Sequence, residues 1–235
     1  MIQVKDLTFS YDSDPERKVL DSITFSLEPK TITAVIGLSG CGKSTLCQIL
    51  CGIIPKCTGG ILQGDVFIDG LRAAEEPLSR LSQKIGYMMQ DPDRQIIAST
   101  VEDELAFGPE NLALPPEEIR RRVDKTMELL GISHLAEMNP SRLSGGQKQL
   151  TAAGALLTMN PDILVMDEPV SHVDQKGREI MLDLIKKLPE EGKTVIVVEH
   201  DYEMLDFAHQ WLVMEKGRIK AIGSPGTLME RGPLL

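Results

Sequence analysis

Long hydrophobic runs are missing from this 235-residue chain. The longest, such as Leu150–Met159, extend about ten residues, and a membrane-spanning helix needs roughly 20. The chain is therefore not expected to cross a bilayer. Its start, MIQVKDLTFSYDSD, is strand-like and acidic, unlike a secretory signal. An excess of positive charge is missing too. Lys and Arg number 25 against 35 Asp and Glu, a net charge of −10. Nothing in that balance favours sequence-independent binding to nucleic acid. The run Arg120–Arg122 sits in PPEEIRRRVDKTMELL, where Ile119, Val123, Met127 and Leu130 recur at helical spacing. It reads as a solvated helix face. Cysteines are few: Cys41, Cys47, Cys51 and Cys57. They form no CxxC pair and have no histidine nearby in sequence, so zinc binding is not expected. They read as reduced thiols of a cytosolic protein, with Cys41 at an expected helix start, where thiolate is favoured. Repeats and low-complexity segments are absent.

What is present suits one α/β domain. Hydrophobic residues make up 42% of the chain, as in a globular fold with a substantial core. Up to about residue 70, short strand patterns (IQVKDLTFSY, ITFSLE, TITAVIGL, GDVFIDG) alternate with turns. IGYMM follows, then the polar QDPDRQ. A helix-rich region runs from about Thr100 to Met159; Pro115-Pro116 lead its amphipathic helix and Gly131 ends it. The apolar runs ILVMD, TVIVVEH and WLVMEKG come last. Buried runs separated by helical patterns imply a parallel sheet covered by helices. The expected architecture is an α/β core interrupted by a helical insertion.

GLSGCGKST fits the phosphate-loop pattern G-x4-G-K-[ST], between the apolar strand TITAVI and the helix-like LCQILCG, the context that motif requires. Gly37, Ser39, Gly40, Cys41, Gly42, Lys43, Ser44 and Thr45 are thus candidate nucleotide-binding residues. The glycines admit backbone N–H groups to the phosphates, and the helix start adds positive dipole. Lys43 is placed for the β and γ phosphates and Ser44 for Mg²⁺. In ILVMDEP a buried strand delivers Asp167 as a candidate metal ligand and Glu168 as a group able to orient or deprotonate water. TVIVVEHD brings His200 to the end of another strand, in reach of a γ-phosphate or the attacking water. Gln90, after IGYMM, is polar at the mouth of the same sheet. Aromatic residues are only nine, five Phe, three Tyr and one Trp, so Tyr11 at a turn edge is a candidate base-stacking platform.

A second set of phosphate-ready groups lies in LSGGQ, Leu143 to Gln147. The Ser144 hydroxyl and the Gly145 and Gly146 amides open the helical run GGQKQLTAAGALL, and a helix N-terminus is an anion site. One chain need not fold both sets onto one ATP. The economical arrangement is a two-fold dimer in which each phosphate loop faces the partner's LSGGQ.

Together these motifs resemble the ATP-binding cassette (ABC) ATPases, in that family's order, from Gly37 to His200. The resemblance implies a P-loop NTPase core with a parallel sheet, an N-terminal antiparallel β subdomain and an inserted α-helical subdomain. It implies one ATPase domain over 1–235, with 1–89 and 160–235 as core plus β subdomain and 90–159 as helical signature subdomain. It implies ATP and Mg²⁺ as cofactors. Tyr11 would stack on adenine. Lys43, Ser44 and Thr45 would serve phosphate and Mg²⁺, and Gln90 would sense Mg²⁺ and the transmembrane partner. Ser144, Gly145, Gly146 and Gln147 would bind the opposing ATP. Asp167 and Glu168 would be metal ligand and catalytic base, Asp174 the dimer-crossing aspartate and His200 the switch histidine.

QDPDRQIIASTVEDELAFGPEN, Gln90 to Asn111, is similar to the stretch in energy-coupling factor transporters, importers of vitamins and of cobalt or nickel ions. Gln95 and VEDELAFGPEN carry that narrower resemblance. It implies a second ATPase subunit, identical or paralogous. It also implies a transmembrane coupling protein, a small substrate-capturing membrane protein and a place on the cytoplasmic face of the membrane. Three departures stand out. Val170 and His172 replace residues that are usually a small hydroxyl residue and Gly or Ala, with His172 expected at the dimer seam. Leu150 stands where Arg is usual. The chain stops at Leu235, where many of the group carry a C-terminal extension, so dimer contacts from such an extension are not expected. A soluble ABC ATPase acting on nucleic acid or ribosomes usually shows tandem cassettes, long insertions or basic surfaces, none of which is seen here. A regulator without turnover would not need Glu168 and His200. A small-molecule kinase would leave LSGGQ unexplained.

Overall fold

The computed structural model describes residues 1–230, so the chain end at Leu235 lies outside the described residues. The chain runs β1 (Ile2–Ser10), β2 (Leu20–Leu27), β3 (Ile32–Ile36), α1 (Lys43–Leu50), β4 (Ile61–Ile68), β5 (Leu71–Arg72), α2 (Leu78–Leu81) and β6 (Ile85–Met88). Then follow α3 (Val101–Asn111), α4 (Pro116–Leu130), α5 (Gly145–Met159), β7 (Ile163–Asp167), α6 (Gln175–Lys187), β8 (Thr194–Val198), β9 (Gln210–Glu215), β10 (Arg218–Gly223) and α7 (Pro225–Met229).

The continuous apolar runs form strands buried on both faces, as a helix-covered parallel sheet requires. The larger sheet has the order β10-β9-β3-β8-β7-β6. Strands β9, β3, β8, β7 and β6 are parallel, and β10 returns antiparallel to β9. Alternation sorts the side chains. Ile32, Ala34 and Ile36 of β3, Leu164 and Met166 of β7, and Val195 and Val197 of β8 pack with α3 to α6. Val35, Val165, Ile196 and Val198 point the other way, into a core shared with Leu46, Cys47 and Leu50 of α1. Ile2, Phe9, Ile23 and Phe25 of the smaller sheet close that second core. The smaller sheet, β2-β1-β4-β5, is antiparallel throughout. The α/β class and both expected sheets are therefore present. The short β5, α2 and α7, and the hairpin strand β10, carry no strong periodicity and are additions to the sequence reading.

Helices α3, α4 and α5 lie between β6 and β7 in the chain. Helix α4 begins with Pro116 at its first position and ends at Gly131, left-handed with φ 67°. Val123, Met127 and Leu130 are buried as their spacing predicts, and Ile119 packs beside them. The arginine face needs one correction. Arg120 and Arg121 are exposed, but Arg122 is mostly covered, donating to Glu118 and to the Thr158 carbonyl at 3.0 Å. It ties α4 to the end of α5. Leu150, where the resembling family usually has Arg, is buried in the helical core. Apolar packing occupies that position.

Candidate active site

Four parallel strands deliver the site. The phosphate loop leaves β3 and enters α1 at Lys43, with Gly42 as N-cap at φ 105°. A Cβ on Gly42 would meet Leu20 Cδ2 at 2.8 Å and the Val19 carbonyl at 2.9 Å, so this position tolerates neither the angle nor the bulk of another residue. The turn between β9 and β10 braces the loop, with Gly217 N–H donating to the Cys41 carbonyl at 3.1 Å. Lys43 lies along its own loop, Nζ donating to the carbonyls of Gly37 (2.7 Å) and Leu38 (3.2 Å).

Cys41 departs from expectation. It is buried, and desolvation pushes its thiol above the usual range despite the nearby Lys43 charge. Burial outweighs the helix-start effect, and the thiolate is disfavoured. Cys47 and Cys51 are buried core thiols, and burial raises both.

Ser39, Gly40, Lys43, Ser44 and Thr45 share a cleft of about 210 Å³ with Gln90, Glu168 and His200. Asp167 ends β7. Its Oδ2 accepts from the Tyr87 hydroxyl at 3.0 Å, while Oδ1 is buried with no hydrogen-bond partner. Burial pushes the carboxyl above its usual range, and the nearby Ser44 and Tyr87 hydroxyls pull it back. Mg²⁺ is held by one or two protein oxygens together with substrate phosphates. A buried, under-satisfied carboxylate oxygen beside a serine hydroxyl fits that ion.

Glu168 follows with φ 52°, unusual for a side-chain-bearing residue. Its amide donates to the Val198 carbonyl at 2.9 Å. Its own carbonyl accepts from Gln149 Nε2 (3.2 Å) and Ser171 Oγ (3.0 Å). This bonding fixes the turn and sends the carboxylate into the cleft. There Oε2 accepts from Gln90 Nε2 at 2.7 Å, and Oε1 lies 2.5 Å from His200 Nε2. Gln90, Glu168 and His200, widely separated in sequence, thus form one contact group. The arrangement can hold a water or a proton at Glu168 beside the phosphate loop.

Other expected residues lie elsewhere. Tyr11 does not line the cleft; its hydroxyl is 3.1 Å from Thr45 Oγ1, and its ring stands edge-on to Phe9. Ser144 and Gln147 cap α5 reciprocally: Ser144 Oγ accepts the Gln147 amide at 3.3 Å, and Gln147 Oε1 accepts the Ser144 amide at 2.9 Å. The signature glycines press on the segment after β7 in the same chain. A Cβ on Gly146 would stand 3.1 Å from Val173 Cα. His172 lies beside Gly145, its Nδ1 2.9 Å from Ser171 Oγ. Asp174 caps α6, accepting the Gly177 amide at 2.8 Å. None of Ser144–Gln147 or Asp174 reaches the cleft of its own chain.

Several contributors escape sequence reasoning. Gln149 is fully buried and grips the Glu168 carbonyl. Glu199 is buried beside Glu168, and burial pushes its carboxyl up to about 7. Gln95 and Glu104 belong to a stretch that the sequence singles out, but their bonds are not legible there: Gln95 accepts the Met89 amide at 2.9 Å, and Glu104 accepts the Ile97 and Ala98 amides. The segment carrying the narrower resemblance is therefore a hydrogen-bonded loop after β6 that runs into helix α3. Tyr87 had a faint signal, an aromatic alternating within IGYMM.

The loop, the sheet and the carboxylates at its edge define a P-loop nucleotide-binding domain. Residues 20–171 match the ABC transporter family, and the chain belongs to that family. A putative ABC transporter ATP-binding protein of Caldanaerobacter subterraneus is 37% identical over 235 residues, all of this chain but only 41% of that protein's length. The energy-coupling factor transporter ATP-binding protein EcfA1 of Streptococcus thermophilus is 34% identical over 99% of this chain and 83% of its own. Among solved structures, cbiO1 from Clostridium perfringens, part of the transporter complex cbiONQ, aligns with a TM-score of 0.83 and 30% identity. The alignment covers 97% of this chain and 90% of that one. A dimeric ATP-binding cassette in a post-hydrolysis state bound to ADP and Pi aligns at 0.85 with 27% identity, covering 95% and 98%.

Asp167→Asn should raise the stability of the nucleotide-free protein at neutral pH by about 1 kcal/mol, since it removes a buried, under-satisfied charge. The folded carboxyl titrates above the unfolded value of 3.8, so both states are protonated well below that pH. The cost of the charge accumulates as pH rises from there through the folded pKa. The variant's advantage should therefore vanish at acid pH and be full at neutral pH. Urea denaturation across that range measures it; a less stable variant at neutral pH would contradict the account.

Proposed function

We propose that this chain is the ATP-binding and ATP-hydrolysing motor subunit of an energy-coupling-factor importer for a vitamin or for cobalt or nickel ions. The observation that carries the catalytic part is Glu168, held in the phosphate-loop cleft between Gln90 and His200. In this reading Lys43 and the loop amides bind the β and γ phosphates, and Glu168 accepts a proton from the attacking water. Gln90 and His200 hold Glu168 in line. Ser44, Asp167 and Gln90 are the residues that would hold Mg²⁺, which when bound neutralises phosphate charge. Thr45 assists at the phosphates, and Tyr11 stacks on the adenine. Residues 1–89 and 160–235 act as core and 90–159 as signature unit of one ATPase domain.

Ser144 to Gln147, with Asp174, serve the nucleotide of a second subunit in this reading, and His172 stands at the dimer seam. Support comes from their distance from the cleft of their own chain and from the dimeric form of the related cassette. ATP then joins two subunits, identical or paralogous, and hydrolysis releases them. The transmembrane coupling protein would seat in an apolar groove bordered by exposed Ile97 and Phe107, beside Gln95. A small membrane protein would capture the solute. In this reading the chain attaches peripherally, on the cytoplasmic face of the membrane, through the coupling protein; no helix among the described residues is long and apolar enough to cross a membrane.

Co-purification from detergent-extracted membranes of the native host tests the transport reading. A multi-helix membrane protein and a small hydrophobic one are expected; soluble or ribosomal partners alone would overturn it. Glu168→Gln should keep ATP binding while turnover falls about a hundredfold or more. Unchanged turnover in a phosphate-release assay would remove Glu168 from its assigned role.

A further inference from the structure

Glu199 is a buried carboxyl between two residues of the site, and no step above uses it. Its side chain is covered, yet it directly follows β8 and precedes His200. Its Oε1 accepts the Val170 amide at 3.3 Å, across 29 residues of sequence. Val170 belongs to the turn that begins at Glu168 and closes with the Ser171 amide and hydroxyl on the Glu168 carbonyl. The Val170 side chain is itself buried, so no solvent is at hand to replace that acceptor.

Charged groups face Glu199 from each neighbouring element. Glu168 stands at the end of β7, and Arg178 lies in the first part of α6. Arg178 Nε is buried without a hydrogen-bond partner, so its attraction for Glu199 is not spent on a bond made by that nitrogen. Helix α6 begins at Gln175 and is capped by Asp174, which ends the segment that packs on Gly145 and Gly146. Glu199 therefore stands where three segments meet: the turn carrying Glu168, the loop carrying His200, and the helix that follows His172 and Asp174.

We propose that Glu199 is a positioning residue that locks the Glu168–Ser171 turn to the His200 loop, so that the carboxylate and the imidazole are delivered to the cleft together. The activity part of this inference rests on the ATPase reading above; the hydrogen-bond part does not.

Two variants separate the possibilities. Glu199→Gln keeps an acceptor of the same reach, and Glu199→Leu removes it at similar volume. Amide exchange by NMR reads the bond itself. The Val170 amide should exchange about tenfold faster or more in the Leu variant, and within about threefold of wild type in the Gln variant. In steady-state ATP hydrolysis, the Leu variant should lose about tenfold or more in kcat while KM stays within about twofold, and Gln should restore kcat. If Leu prevents folding, Glu199→Asp, with its acceptor one methylene short, carries the same expectation. Unchanged Val170 exchange in the Leu variant overturns the proposal, as does a KM rise with kcat intact, or failure of Gln to rescue. A wild-type chain that hydrolyses no ATP would sink the ATPase reading, and the Val170 exchange would still decide the role of Glu199.

Discussion

The site depends on the level register of the parallel sheet. Met88 pairs with Met166, Asp167 with Val198, and Val35 with Val198. Strands β6, β7, β8 and β3 thus finish along one edge. Gln90, Glu168, His200 and the phosphate loop each begin within two residues of a strand end. A one-residue slip in any pair would turn its residues to the other face and scatter the group. The two apolar cores that clamp the sheet hold this register, because the apolar side chains of β3, β7 and β8 alternate between one core and the other.

Within that frame the site holds features that work against stability. Glu168 has a left-handed backbone, Asp167 keeps a buried oxygen without a partner, and Glu199 carries a buried carboxyl near a second acid. Strain and desolvation of this kind persist where surrounding structure over-determines them. The surroundings do so here through the Val198 carbonyl, Gln149, Ser171 and the Tyr87 hydroxyl. The signature residues show another economy. Ser144 and Gln147 form a complete helix cap within the chain, so the loop is shaped before any second subunit arrives. Preorganisation lowers the cost of binding.

Much of this was legible in the sequence, for physical reasons. A strand buried on both faces reads as an unbroken apolar run, so ILVMD and TVIVV announce themselves and the acids and histidine after them fall at the sheet edge. Glycine spacing marks the phosphate loop, and paired prolines with Gly131 bound α4. The rest rests on contacts between distant segments. Nothing local says that Glu199 meets Val170, that Gln149 holds Glu168, or that Arg122 reaches Thr158. Cys41 shows the same limit: its place near a helix start predicts one charge state, and burial by the surrounding loop imposes the other.

The central claim is that the phosphate loop of one chain works with the LSGGQ of another. Mixing two inactive variants tests it most directly. Lys43→Ala lacks a working phosphate loop and keeps its signature; Ser144→Arg keeps the loop and blocks the signature. If the site is shared, the mixture regains ATP hydrolysis that neither variant has alone, because one intact composite site forms per mixed dimer. If the mixture stays as inactive as its parts, while wild-type chains hydrolyse ATP, the two motifs do not combine across a dimer of this chain.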